Sequence, residues 1–217
     1  MPSRPCRHPS ENAASNWARP GNSWAGQLLG RPILFLLSLL LFLYVTCEVG
    51  VWNWLPRHLV AQGIPESRAL GILSLGFALG LLVGRVVVSR ILIKVSSPTV
   101  TLAASILMAI TTYAMLQTKD PFLAGILVFC AGLAMAPVFT TTLAMVGDAF
   151  PKMTATAMGL AITCGWIGLA VSSRIIGAIA GDDPSKLKTA LLVIPCASVL
   201  MVLVTLVIRP MLMHKKA

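Results

Sequence analysis

Tyr44, Glu48 and Trp52 follow one another at i, i+4 and i+8 inside a run of otherwise apolar residues, a spacing that puts all three on one face of a helix. A charge in such a run costs on the order of a few kcal/mol in a bilayer unless it meets a cavity or a partner. A carboxyl so placed can take up and release a proton, and a carboxylate flanked by aromatic rings suits a polar solute with apolar ring faces, such as a sugar. The competing reading is a structural glutamate bonded to a donor on a neighbouring helix. Further along, Phe139 and Thr142 share a face just after Pro137 and could line the same space. Alternatively, the hydroxyls of Thr140, Thr141 and Thr142 re-satisfy carbonyls freed by the proline. Thr163, Trp166, Ala170 and Ser173 share another face, and Trp166 sits mid-run, away from the interfacial belt where tryptophan is usual. Arg174 reads as snorkelling outward rather than as a partner for Glu48. Gly84, Arg85 and Arg90, with Lys94, close a further run. They read as a positive anchor or as a charge latch between helix ends.

The elements that must position these groups are six apolar stretches, expected at 32–55, 68–89, 98–117, 121–146, 153–180 and 188–208. Each approaches the roughly 20 residues that cross a hydrocarbon core about 30 Å thick, and none shows the alternation of a barrel strand. The chain is 57% hydrophobic and 11% charged, with a mean hydropathy of +0.85, more apolar surface than a soluble chain of 217 residues can hide. The fold expected is all-α, an integral membrane six-helix bundle. Ser97-Pro98 and Asp120-Pro121 each offer a helix cap followed by proline in the first turn.

A formal charge of +10 would suggest nucleic acid in a soluble chain, but no basic stripe with interleaved aromatics exists to bind one. The basic residues mark orientation instead. Arg4, Arg7, Arg19, Arg31, Arg90, Lys94, Lys152, Arg209, Lys215 and Lys216 fall on one side of the predicted topology, ten against the five of Arg57, Arg68, Lys119, Lys186 and Lys188. By the positive-inside rule both termini are expected in the cytoplasm, in the plasma (inner) membrane. Residues 1–31 read as a flexible basic cytoplasmic segment, 32–209 as the six-helix domain and 210–217 as a short basic tail. The five cysteines and three histidines form no metal-binding spacing, so neither a metal nor a cofactor is expected. No HExxH or GxSxG occurs, and Val146-Gly147-Asp148 is a fragment of the GxGD pattern with Met145 where its first glycine would stand. An enzyme is not expected.

The stretches fall into pairs. The second carries Gly76, Gly80 and Gly84, and the fifth Gly159, Gly165, Gly168, Gly177 and Gly181. The third and sixth are rich in Leu, Val, Ile and Met, and the first and fourth carry the polar or proline-bent segments. This is the composition of a three-plus-three repeat.

Four segments bear a family likeness: LFLYVTCEVGVWNWLPRHL in the first stretch, GLLVGRVVVSR in the second, GLAMAPVFTTTLAMVGDAFP in the fourth and TATAMGLAITCGWIGLAVSSRIIGAIAG in the fifth. Over about residues 32–209 the chain resembles the C-terminal half of a twelve-helix major facilitator superfamily transporter, closest to the fucose-permease-like sugar branch. The resemblance implies secondary transport by rocking of two six-helix halves about a central site. It implies that the first helix of each triplet lines the cavity, the second gates and the third faces lipid. It supports Tyr44, Glu48, Trp52, Phe139, Thr142 and Trp166 as contacts for a small polar solute, with a proton as co-substrate, and Gly84, Arg85 and Arg90 as the gate. The branch's main proton-coupling carboxylates lie in the other half. The partners expected are therefore the lipid bilayer, the solute and proton, and a second six-helix half or another copy of this chain in a parallel homodimer. The reading in a different class is a truncated, non-transporting fragment or a helix-packing subunit.

Overall fold

The computed structural model describes residues 30–181 and 184–213. The N-terminal segment to residue 29, the Asp182-Asp183 pair and the tail from residue 214 lie outside the described residues. From Ile33 on, the described residues form one unit, the bundle.

Every expected stretch is helical, the sixth interrupted at Leu192, and six spans are long and apolar enough to cross a membrane. Helix α1 covers Pro32–Ala61. The second span, α2, runs Glu66–Ile91 and contains a π-helical segment, Ile72–Phe77. Then come α3 (Ser97–Gln117), α4 (Pro121–Ala149) and α5 (Thr154–Ala180), followed by a short α6 (Pro184–Leu191) that leads into α7 (Val193–Met213). Asp120 caps α4 by accepting from the Phe122 N–H at 3.0 Å, satisfying one of the orphan donors of the first turn. The cap of α3 is Ser96, with Pro98 in the first turn, one residue earlier than the sequence suggests. Helix α1 also runs past Pro56 to Ala61. Proline removes one backbone bond there but does not end a helix whose neighbours hold it. The turn into α2 is made by Gly63 at φ +90°, a conformation open to glycine.

Helix α1 meets four neighbours. Its Tyr44 ring lies 6.1 Å from that of Phe139 on α4, and its Trp52 meets Phe77 of α2 edge-on at 5.3 Å. Thr46 donates to the Gly168 carbonyl of α5 at 3.3 Å, and Cys47 reaches the Ile194 carbonyl of α7 at 3.5 Å. Helix α4 packs on α2 and α3, and α3 on α7. At the α2–α4 seam a methyl on Gly84 would stand 2.5 Å from the Ala136 Cβ, and one on Gly132 would stand 2.5 Å from the Phe77 carbonyl oxygen. A methyl on Gly80 would run into the Phe129 carbonyl. Backbones this close are what small residues permit between membrane helices.

Burial is uneven. In their most apolar stretches 33% of α2 and 22% of α5 is buried, against 50–56% for the other four spans. A helix with one lipid-facing side should match the others, so α2 and α5 each keep a second side open. On α2, Ile72, Leu75, Leu79, Leu82 and Val86 form one uncovered apolar stripe, while Ser67, Ser74, Arg85 and Ser89 form another that is polar. Helix α5 repeats the division: Leu160, Ile167, Ile175 and Ile179 on one side, Thr163, Trp166, Ala170 and Arg174 on the other.

Candidate functional site

Glu48 lies half-buried on α1, beside the fully buried Cys47 and Val51. Tyr44, one turn earlier and 1% exposed, donates its hydroxyl to the Glu48 carboxylate. That bond follows from the i, i+4 spacing. Arg85 of α2 is near enough to act on the same carboxylate electrostatically. Phe139 stacks obliquely on Tyr44, 51° between ring planes, and fixes the tyrosine from the α4 side.

Trp52 is 37% exposed, with its ring edge on Phe77. Trp166 is 63% exposed on the polar side of α5. Thr142 is fully buried and donates to the Val138 carbonyl at 2.6 Å. Gly84 is buried in the α2–α4 seam, and Arg85 and Arg90 are exposed. The structure thus brings Tyr44, Glu48, Phe139 and Arg85 into one cluster and Trp52 to a neighbouring one with Phe77. Thr142 sits inside the bundle, and Trp166 stands on α5.

The threonines after Pro137 act differently from the expectation. Thr140 and Thr141 both donate to the Pro137 carbonyl, at 2.9 and 2.8 Å. The carbonyl that Pro137 frees, four residues back, is that of Leu133. It points into the seam, where a methyl on Gly84 would stand 2.9 Å away. Thr141 also receives a hydroxyl bond from Thr101 of α3 at 2.7 Å, which ties α3 to α4.

Two contributors are not apparent from sequence. Phe77, on the π-helical segment, is fully buried under Trp52. Arg85 is readable as a charge near a helix end, but its closeness to Glu48 depends on how α2 is rotated against α4, and the glycine seam sets that. Among the described residues no group of His, Cys, Asp and Glu could hold a metal ion.

The profile of the Major Facilitator Superfamily matches residues 3–173. The chain belongs to the Major Facilitator Superfamily. It is an integral membrane protein of that superfamily, all-helical with six membrane-capable helices. "Bypass of stop codon protein 6" of Saccharomyces cerevisiae (strain ATCC 204508 / S288c) is 26% identical over 165 residues, covering 71% of this chain and 33% of that protein. The chain therefore spans about a third of the length of the curated relative it matches. No solved structure matches it.

Proposed function

We propose that this chain is a six-helix half of a secondary transporter, the C-terminal half of a fucose-permease-like arrangement, that carries a small polar solute, a sugar, together with a proton. One observation carries the reading. A half-buried carboxylate in mid-span, bonded by Tyr44 and faced by Arg85, stands on the open side of a superfamily bundle rather than inside its packing. A structural glutamate would be enclosed by its partners. Glu48 instead keeps access to the open side. It would accept a hydroxyl of the solute or a proton, exchanging one for the Tyr44 bond. Phe139, Trp52 and Trp166 would offer ring faces, and Gly84 with Arg85 and Arg90 would form the sliding and charged parts of the gate. The polar open sides of α2 and α5 would receive a second six-helix half, with both termini of this chain cytoplasmic.

Uptake of a panel of labelled sugars into proteoliposomes tests this, wild type beside Glu48→Gln. Uptake driven by a proton gradient and abolished by the substitution is the expected result. Folded protein in which the substitution leaves uptake unchanged would remove Glu48 from the site. A second reading rests on the 33% coverage of the yeast relative: the chain is a packing subunit or fragment without transport of its own. Folded wild-type protein that moves no sugar, alone or with a partner half, would favour it.

A further inference from the structure

A groove of about 780 Å³ lies between the first turns of α2 and α4, lined by Arg68, Ile72, Leu75, Gly76, Phe122 and Phe129 among others. It lies away from the Glu48 cluster and opens on the apolar stripe of α2, not on the polar one. That stripe holds Ile72, Leu75, Leu79, Leu82 and Val86, with a cation, Arg68 or Arg90, at each end. A side that is apolar between terminal cations is the signature of a lipid-facing surface whose basic ends meet headgroups. The groove is hollow because of two residues: methyls on Gly71 and Gly125 would meet nothing within 4 Å. From Arg68 to Gly76, and from Pro121 to Phe129, each wall runs nine residues, eight steps or about 12 Å at 1.5 Å per step. One leaflet of a hydrocarbon core about 30 Å thick is about 15 Å deep.

We propose that this groove is a phospholipid site in the leaflet at the α1–α2 turn, with an acyl chain between α2 and α4 and the lipid phosphate on Arg68. The match of wall length to leaflet depth, the apolar lining and the cation at the mouth of the groove all point to that occupant. The first turn of α2 sets Arg68 at headgroup level, and the guanidinium suits a phosphate oxygen pair. The π-helical segment Ile72–Phe77 supplies much of the α2 wall. Its wider turn rotates Leu75 and Gly76 relative to Arg68, which is how a local insertion shapes a helix for a ligand.

Native mass spectrometry of the full chain in detergent, supplied in turn with dioleoylphosphatidylglycerol and dioleoylphosphatidylcholine, tests the site. Wild type should retain one phospholipid of either kind, because both carry the phosphate. Gly125→Leu projects into the hollow from a position where an added Cβ meets nothing within 4 Å, so the fold should stand while lipid retention is lost. Gly71→Leu should act likewise, and unchanged helicity by circular dichroism checks both variants. Arg68→Gln should weaken retention of both lipids about threefold, the scale of an exposed ion pair. Retention unaffected by either glycine substitution would overturn the site. So would a co-purifying protein chain, rather than lipid, displaced by Gly125→Leu. Loss with the glycine variants but none with Arg68→Gln would overturn the phosphate contact.

Discussion

The α2–α4 seam and the α5–α1 seam are the same joint built twice, upside down. In the first, Gly80 lies on the Phe129 carbonyl; in the second, Gly168 lies on the Phe42 carbonyl. The offsets agree: 129 − 42 = 87 and 168 − 80 = 88. One turn away the agreement holds, since Gly132 meets Phe77 and Gly165 meets Val45, with 132 − 45 = 87 and 165 − 77 = 88. The glycine, however, has changed sides. In the first seam it belongs to α4; in the second it belongs to α5, and α1 keeps a valine. The α2–α4 seam therefore brings main chain against main chain at both of these levels. The α5–α1 seam does so at one and substitutes side-chain contact at the other, with the Thr46 bond to the Gly168 carbonyl added. A repeat can thus be kept in contacts while its residues diverge. In this chain the closer seam is the one that sets Arg85 against Glu48.

Substitutions can break or sharpen that difference. Gly80→Ala should have the largest effect, about 3 kcal/mol, because the added methyl meets a carbonyl that cannot turn aside. Loss of the monodisperse peak in detergent, with a lowered melting temperature, would show it. Gly168→Ala should come next, about 2 kcal/mol. Its methyl would stand 2.5 Å from the Phe42 carbonyl oxygen but 3.1 Å from the movable Thr46 hydroxyl. Gly165→Ala should cost under about 1 kcal/mol, since the new atom would be 3.2 Å from a Val45 methyl that can shift. A double-mutant cycle with Val45→Ala should recover most of that cost. Thr46→Val should be smallest, about 0.6 kcal/mol, the usual worth of a hydrogen bond between membrane helices. Equal costs for Gly80→Ala and Gly165→Ala would mean that the two seams do not differ as described.

Much of this fold is legible without coordinates because the bilayer demands long apolar helices, and such runs announce themselves. The Asp120 cap follows from local spacing and holds in the structure, and the i, i+4 spacing puts Tyr44 and Glu48 on one face of α1. The paired stretches of like composition also correspond to real paired seams. What spacing could not give was rotation. Periodicity says that Arg85 shares a stripe with Ser74 and Ser89, but only the depth of the Gly80 and Gly84 contacts determines what that stripe faces. The first helix outruns its expected end at residue 55, passing Pro56 to reach Ala61, because tertiary neighbours override a local breaker. The π-helical segment, which carries Phe77 to Trp52, leaves no mark in the hydrophobic pattern.

Sugar-driven proton movement, read with a pH-sensitive dye trapped in liposomes, tests the central claim most directly: that Glu48 is a working carboxylate on an open surface and not a packed one. Wild type should acidify the lumen as sugar enters, and Glu48→Gln should show no proton movement above empty liposomes while keeping the wild-type melting temperature. A Glu48→Gln protein that moves protons with sugar as the wild type does would contradict it.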